Sequence, residues 1–255
     1  MNPHGSGDPS TLTASIPDMR RPTASLTATF ATFALALAGC SKDADDATVA
    51  TAPATPPATA APTAIPPPPE LKARSYVVID HDSGRVLAAL DPDSRQEPAS
   101  LTKVMTAYGV FRALKEGRIK LDDMVTISEH AWKQEGSRMF IEVGKQVSVE
   151  NLIQGMIVQS GNDATVALAE HVAGAEPTFV QMMNTYAREL GMTGSHFTNS
   201  AGMPDPEHYM TARDSAILSS ALIREFPEYY RWYAQKEFTW NGITQQNRNG
   251  LLWRE

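Results

Sequence analysis

Cysteine is almost absent from this 255-residue sequence, which contains a single one at position 40. One cysteine excludes an internal disulfide framework and any cysteine-rich metal site. The six histidines include no H-E-x-x-H pair, so the pattern does not favour a zinc peptidase. Basic residues form no run and the formal net charge is -7, which argues against nucleic acid as a partner.

Long apolar runs are lacking as well. Residues 19–21 carry two arginines, as in a signal n-region, and the apolar stretch 26–38 is too short to span a bilayer. It ends at Leu37-Ala38-Gly39-Cys40, which resembles the bacterial lipoprotein box, where the cysteine becomes the lipidated first residue. Residues 1–40 are therefore predicted to be a signal segment with lipidation at Cys40. A generic signal peptide with an incidental cysteine is the alternative.

The next segment has the composition of a spacer. Residues 41–69 are mostly Ala, Thr, Pro and Asp and end in four consecutive prolines. Such a composition cannot bury a core, which predicts an extended linker. The remaining chain, 70–255, is predicted to be one folded domain, consistent with 42% apolar residues overall.

A proline precedes a helical pattern in the first part of this domain. After Pro98, apolar residues recur at three- and four-residue spacing from Leu101 to Leu114, which predicts a helix with one buried face. Ser100 falls at the helix N-terminus and Lys103 one turn later on the same side. A serine nucleophile needs a base within reach, and a lysine made neutral by burial can be that base. A helix cap beside a solvated lysine is the alternative interpretation.

Periodicity and turn residues predict the other elements of the domain. The predicted strands are residues 75–80, 85–89, 237–240 and 243–245, and the predicted helices are residues 100–115, 148–158, 163–172, 177–190 and 211–224. Each pair of strands is expected to form a hairpin. The mixed region 120–147 yields no clear assignment.

A second polar motif, Ser160-Gly161-Asn162, lies in the break between two predicted helices. Side chains at such a break can converge on a cleft, where a hydroxyl can relay a proton and an amide can hold a carbonyl. These residues are also common in ordinary turns. Their occurrence together with the only Ser-x-x-Lys of the chain favours a catalytic site.

Four stretches, in this order, resemble the low-molecular-mass penicillin-binding proteins, the serine D-alanyl-D-alanine carboxypeptidases. They are Pro98-Ala99-Ser100-Leu101-Thr102-Lys103, Gln159-Ser160-Gly161-Asn162-Asp163-Ala164, Thr211-Ala212-Arg213-Asp214 and Asn247-Arg248-Asn249-Gly250-Leu251-Leu252-Trp253. The resemblance implies a serine β-lactamase-like α/β fold, with an antiparallel sheet flanked by helices and a helical subdomain. It implies no metal and no cofactor.

The same resemblance assigns roles to four residues. Ser100 would be acylated by the penultimate D-alanine of a peptidoglycan stem peptide ending in D-Ala-D-Ala, and Lys103 would take its proton. Ser160 would pass a proton to the leaving D-alanine, Asn162 would orient Lys103 and the peptide, and water would release the product. β-Lactams would be trapped covalently at Ser100.

An N-terminal lipid at Cys40 would hold the enzyme at a membrane of the bacterial cell envelope, on the periplasmic side.

The third motif of that family, Lys-Thr-Gly, has no counterpart in this sequence. In the family its strand recognises the substrate carboxylate, supplies an oxyanion donor and pairs with the first strand. Arg248-Asn249-Gly250 precedes that strand in the family and is rejected as a substitute. Arg213 could bind the substrate carboxylate through two hydrogen bonds. A local ion pair made by a residue in the first turn of a helix explains this arginine equally well. The 255-residue chain is therefore expected to be a fragment with little or no turnover.

Several alternative functions share the motifs. A D,D-endopeptidase has all of them. A class A-like β-lactamase needs a glutamate for its deacylating water, and residues 193–206 contain only one acid, Asp205. A non-catalytic peptidoglycan-binding lipoprotein would fit the missing third motif, but not the intact Ser100, Lys103, Ser160 and Asn162.

Overall fold

The computed structural model describes residues 67–254. The strands are β1 (Tyr76–Ile79), β2 (Val86–Leu90), β3 (Met124–Thr126), β4 (Gln146–Ser148), β5 (Glu237–Trp240) and β6 (Ile243–Gln246). The helices are α1 (Thr102–Lys115), α2 (Glu129–Trp132), α3 (Val149–Gln159), α4 (Asn162–Ala173), α5 (Glu176–Glu189), α6 (Ala212–Glu225) and α7 (Pro227–Tyr230). The predicted signal segment, Cys40 and the predicted linker up to residue 66 lie outside the described residues.

The strands form three two-stranded antiparallel sheets. In the first, β1 and β2 pair with Tyr76 opposite Leu90, and the register shifts at Ile79. Helix α6 packs against β1. Within residues 67–254, β1 pairs with β2 alone. Both predicted hairpins are confirmed, and β5–β6 turns at Asn241-Gly242, where both residues have positive φ.

Helix α1 lies at the centre of the part of the chain that the structure describes. The prediction of one buried face was wrong, because ten of its fourteen residues are buried. Helices α3, α4, α5 and α6 all contact α1, so most of its surface meets a neighbour. Small residues such as Ala107 and Gly109 permit this close packing, and Phe111 packs its ring against Phe226 and Tyr229. Leu101, predicted as apolar core, is 57% exposed just ahead of the helix.

The break between α3 and α4 lies where the motif Ser160-Gly161-Asn162 predicts it. Ser160 ends α3 in the left-handed region, with φ 61° and ψ 36°, and α4 starts two residues later. Gly161 allows the tight connection, because a Cβ there would lie 2.9 Å from an Asp163 oxygen and 3.1 Å from the Met139 nitrogen. The turn therefore brings the end of one helix and the start of the next to the same place.

The region without a prediction, 120–147, contains β3, α2 and an irregular segment before β4. A buried carboxylate fixes that segment, because Asp163 accepts hydrogen bonds from the backbone N–H groups of Met139, Phe140 and Ile141 at 3.0, 3.0 and 3.3 Å. Asp163 is 1% exposed, and the N–H of Ala164 is a further donor. The contacts explain how Phe140 is held at φ 66°, which is unusual for a bulky residue.

None of the helices between residues 67 and 254 is long and apolar enough to cross a membrane. Over the same residues, no group of three or more His, Cys, Asp or Glu side chains is arranged to hold a metal ion.

Asp163→Ala is expected to destabilise the fold by about 2–4 kcal/mol, because the four backbone N–H groups that donate to its carboxylate lose their acceptor. Urea denaturation followed by circular dichroism measures this loss. Asp122→Ala, at an exposed aspartate, is the control and should change stability by less than about 0.5 kcal/mol. Equal stability of the two variants would show that solvent replaces the carboxylate at no cost.

Candidate active site

Ser100 lies in a short 3-10 turn, Ala99–Leu101, that leads directly into α1. Pro98 is buried before the turn, whereas Ser100 is exposed. Ala99 has φ 46°, a conformation that costs an alanine on the order of 1 kcal/mol or more. Gly202 packs against this turn so closely that a Cβ would lie 1.8 Å from the Ala99 carbonyl oxygen. The turn is thus held by a close backbone contact and presents the serine to solvent.

Lys103 lies one turn further along and points into the protein. Its side chain is largely buried, with 6% of the residue exposed. Its Nζ donates to Ser100 Oγ at 3.0 Å and to the Ala201 carbonyl at 2.7 Å. Burial, together with the charge of Arg248, lowers the pKa of Lys103 from 10.5 to about 8. The pKa thus lies within about one unit of physiological pH, so a fraction of the amine is neutral there and can serve as a general base for Ser100.

Ser160 lies across from this pair. A cavity of about 90 Å³ is lined by Ser100, Lys103 and Ser160, together with apolar side chains of α1 and α3. The left-handed backbone of Ser160 places it at this cavity rather than along the helix. Two hydroxyls and one amine from motifs far apart in the sequence thus face one small space.

Asn162 is buried at the start of α4, with 6% exposed. Its Nδ2 donates to the Glu135 carbonyl at 2.6 Å and lies 3.6 Å from the Met203 sulfur. Its Oδ1 is buried and has no hydrogen-bond partner within residues 67–254. The expected contact with Lys103 is not among the hydrogen bonds of this part of the chain, where the Ala201 carbonyl takes that place.

Two residues at the site, Tyr233 and Arg248, had no predicted role there. Tyr233 lines the cavity beside Ser160, and burial raises the pKa of its phenol. Arg248, rejected as part of a third motif, lies near enough to Lys103 to lower its pKa. The chain after β6 is held beside the cavity by a hydrogen bond, in which the N–H of Arg248 donates to the Val158 carbonyl of α3 at 3.4 Å. Neither residue has a local spacing that could have indicated its position.

Arg213 does not join this group. Its guanidinium makes a two-point ion pair with the Asp93 carboxylate, with N–O distances of 2.6 and 3.0 Å. Asp93 holds the pKa of Arg213 above its usual value, chiefly through the side-chain hydrogen bond. The pairing interpretation of this residue is thus the one the structure supports.

The arrangement has the parts of an acyl-transfer site. An exposed hydroxyl is within hydrogen-bond reach of a buried amine, and a second hydroxyl faces the same cavity. A lysine of this kind can take the serine proton as the oxygen attacks a carbonyl. The second hydroxyl can then carry a proton to a leaving group.

Comparison with known proteins gives concordant matches. Residues 61–255 match the D-alanyl-D-alanine carboxypeptidase family of peptidases. The D-alanyl-D-alanine carboxypeptidase DacA of Haemophilus influenzae is 52% identical over 189 residues, covering 73% of this chain and 48% of the relative. DacD of Escherichia coli, described in the same way, is 47% identical over 194 residues, covering 74% and 50%.

A solved structure extends the likeness to the fold. Penicillin binding protein 5 from Haemophilus influenzae superposes with a TM-score of 0.72 at 52% identity, covering 73% of this chain and 55% of that one. The predicted penicillin-binding-protein α/β fold is thereby confirmed. The chain spans about half the length of the curated relatives it matches. On the family match and these identities, the chain belongs to the D-alanyl-D-alanine carboxypeptidase family.

Proposed function

We propose that this chain carries the nucleophile of a serine D-alanyl-D-alanine carboxypeptidase, which removes the terminal D-alanine from peptidoglycan stem peptides and binds penicillin. The observation that carries the proposal is the 3.0 Å contact between Ser100 Oγ and the buried Nζ of Lys103. Membership of the family and relatives described as D-alanyl-D-alanine carboxypeptidases support the substrate class. No cofactor has a part in the proposed reaction.

The reaction begins with the neutral amine of Lys103. It takes the Ser100 proton as Oγ attacks the carbonyl carbon of the penultimate D-alanine. The tetrahedral intermediate collapses when the bond to the terminal D-alanine breaks. Ser160 delivers its proton to the leaving nitrogen and takes in return the proton held by Lys103, which leaves both side chains neutral. Asn162 offers its Oδ1, which has no hydrogen-bond partner within residues 67–254, to the peptide N–H or to the lysine. Water then attacks the ester on Ser100 and releases the shortened stem peptide.

β-Lactams would acylate the same serine. Their strained amide replaces the D-Ala-D-Ala bond, and the opened ring stays attached, so no leaving group departs. A β-lactamase would need a carboxylate to activate water against this ester. The acid nearest that role in the sequence, Asp205, is exposed and accepts a hydrogen bond from its own loop at Glu207. Slow release is therefore the expected behaviour.

The N-terminus supports a location in the bacterial cell envelope. The motif Leu37-Ala38-Gly39-Cys40 contains the only cysteine of the chain, and the proline-rich residues 41–69 follow it. In the proposed arrangement a lipid on Cys40 anchors the protein, and the linker holds the domain 70–255 away from the membrane on the periplasmic side. This places the Ser100 site within reach of peptidoglycan.

Incubation with benzylpenicillin is expected to add the mass of one penicillin to the intact chain, because Lys103 activates Ser100. Intact-protein mass spectrometry measures the adduct. Ser100→Ala is the control and should remain unmodified, while retaining the circular dichroism spectrum of the parent. A folded parent chain without any adduct would contradict the proposed acylation chemistry.

The rate of acylation is expected to rise with pH and to level off above about pH 8, the pKa of Lys103. Below this value the lysine is protonated, and the fraction of neutral amine falls about tenfold for each pH unit. Stopped-flow fluorescence with a dye-labelled penicillin gives the profile at constant ionic strength. A flat profile between pH 6 and 9 would exclude Lys103 as the base.

Lipidation is expected to depend on Cys40 alone. When the chain is expressed in bacteria fed radiolabelled palmitate, the parent should carry label and sediment with membranes. Cys40→Ser should lack label and remain in the soluble fraction. Equal labelling of the two chains would disprove lipidation at Cys40.

A further inference from the structure

The orientation of Lys103 depends on a loop, residues 199–203, that belongs to neither the Ser-x-x-Lys motif nor the Ser160-Gly161-Asn162 motif. The Ala201 carbonyl accepts a hydrogen bond from Nζ at 2.7 Å. An amine that donates to one fixed carbonyl has fewer directions left for its lone pair, so this contact helps aim Nζ at Ser100. Asn199 closes the loop by accepting hydrogen bonds from the N–H groups of residues 202 and 203 at 2.7 and 2.9 Å.

Ser200, the residue before this carbonyl, is fully buried and held from two sides. Its N–H and its hydroxyl both donate to one carboxylate oxygen of Glu176, at 2.9 and 2.6 Å. Its carbonyl accepts from the Thr106 hydroxyl of α1 at 2.7 Å. The N–H, hydroxyl and carbonyl of Ser200 therefore each have a hydrogen-bond partner. These bonds fix the position of the Ala201 carbonyl, which is one residue further along the chain.

Glu176 has the properties of an anchor. It lies in the first turn of α5 with a side chain 12% exposed, and its other oxygen is 2.8 Å from Nε2 of His130. Burial raises the pKa of Glu176, but the hydrogen bonds from Ser200 and His130 outweigh this effect and leave the pKa below its usual value. The carboxylate is thus ionised at neutral pH and accepts all of these bonds as a charged group, which strengthens them.

We propose that Glu176 is a positioning residue for the general base, acting through Ser200 and the Ala201 carbonyl on Lys103. The inference rests on the proposed function, since it gives Lys103 the role of base. Glu176 touches neither Lys103 nor Ser100 among its hydrogen bonds in the described chain. It determines where the carbonyl that orients Nζ is held, and how well the loop keeps water away from the amine.

Two variants at position 176 separate positioning from charge. Glu176→Gln and Glu176→Ala remove the same charge, but only glutamine retains an oxygen that can accept both bonds from Ser200. Glu150→Ala is the matched control, because Glu150 is also in the first turn of a helix, and it is exposed. It reports the loss of a favourable charge at a helix N-terminus without any contact to the loop.

The first measurement is the pKa of Lys103 in the full chain, from the 13Cε shift of labelled lysine, assigned with Lys103→Arg. Glu176→Ala should raise this pKa by about one unit relative to Glu176→Gln, because a loosened loop lets water reach the buried amine. The Glu150→Ala chain should match the parent. The charge of Arg248, the other group acting on Lys103, is the same in every variant.

The second measurement is the rate constant for acylation by the dye-labelled penicillin. Misplacement of a catalytic group by a fraction of an ångström can be costly, so Glu176→Ala should react about 10- to 100-fold more slowly than Glu176→Gln. The amplitude per folded molecule should be unchanged. A purely structural role would lower the urea midpoint of Glu176→Ala, but would leave both the lysine pKa and the rate equal to those of Glu176→Gln. That result would overturn the proposal.

Two further outcomes keep the tests distinct. If the parent chain is not acylated at all, the proposed function fails, and the lysine titration still decides the positioning role because it needs no substrate. If Glu176→Ala does not fold, Ser200→Ala replaces it. This variant removes only the hydroxyl donor, and should raise the pKa of Lys103 in the same direction by a smaller amount. An unchanged pKa in Ser200→Ala would then count against the proposal.

Discussion

The desolvation of one amine governs the rest of this structure. Lys103 must lose most of its contact with water for its pKa to fall to about 8, yet its nitrogen must stay within 3.0 Å of an exposed hydroxyl. A buried lysine is costly, because the charged form loses its hydration. The helices around α1 remove the water and so impose this cost, and the Ala201 carbonyl, as a hydrogen-bond partner for the nitrogen, offsets part of it.

This requirement explains why α1 is buried on nearly every side. A helix with one apolar face would have left Lys103 near solvent, with an ordinary pKa and no capacity to act as a base at neutral pH. The polar residues that accompany Lys103 into the interior each have a partner. Thr106 donates to the Ser200 carbonyl, and Thr102 shares a 2.7 Å hydrogen bond with His208, whose pKa burial lowers. The buried polar groups therefore stabilise the same loop that orients the amine.

Local patterns predicted much of the fold and part of the site. The two hairpins, the break at Ser160 and the start of the predicted helix at Thr211, whose hydroxyl accepts from the Asp214 N–H at 3.1 Å, all follow from short-range turn and capping chemistry. The irregular segment before β4 could not be predicted from such signals, because its shape depends on Asp163, a residue of another element. The approach of Arg248 and Tyr233 to the site depends likewise on contacts distant in sequence.

Motifs cannot predict the part of the site that is formed by backbone groups. The Ala201 carbonyl orients Lys103, and the Cα of Gly202 supports the strained turn at Ala99. A carbonyl is present in every residue, so the identity of residue 201 carries no information about the contact. What the sequence can encode is the set of side chains that fix the path of the loop, such as Glu176 at Ser200. Motifs therefore identify the groups that react, whereas the groups that position them are found only by following hydrogen bonds through the folded chain.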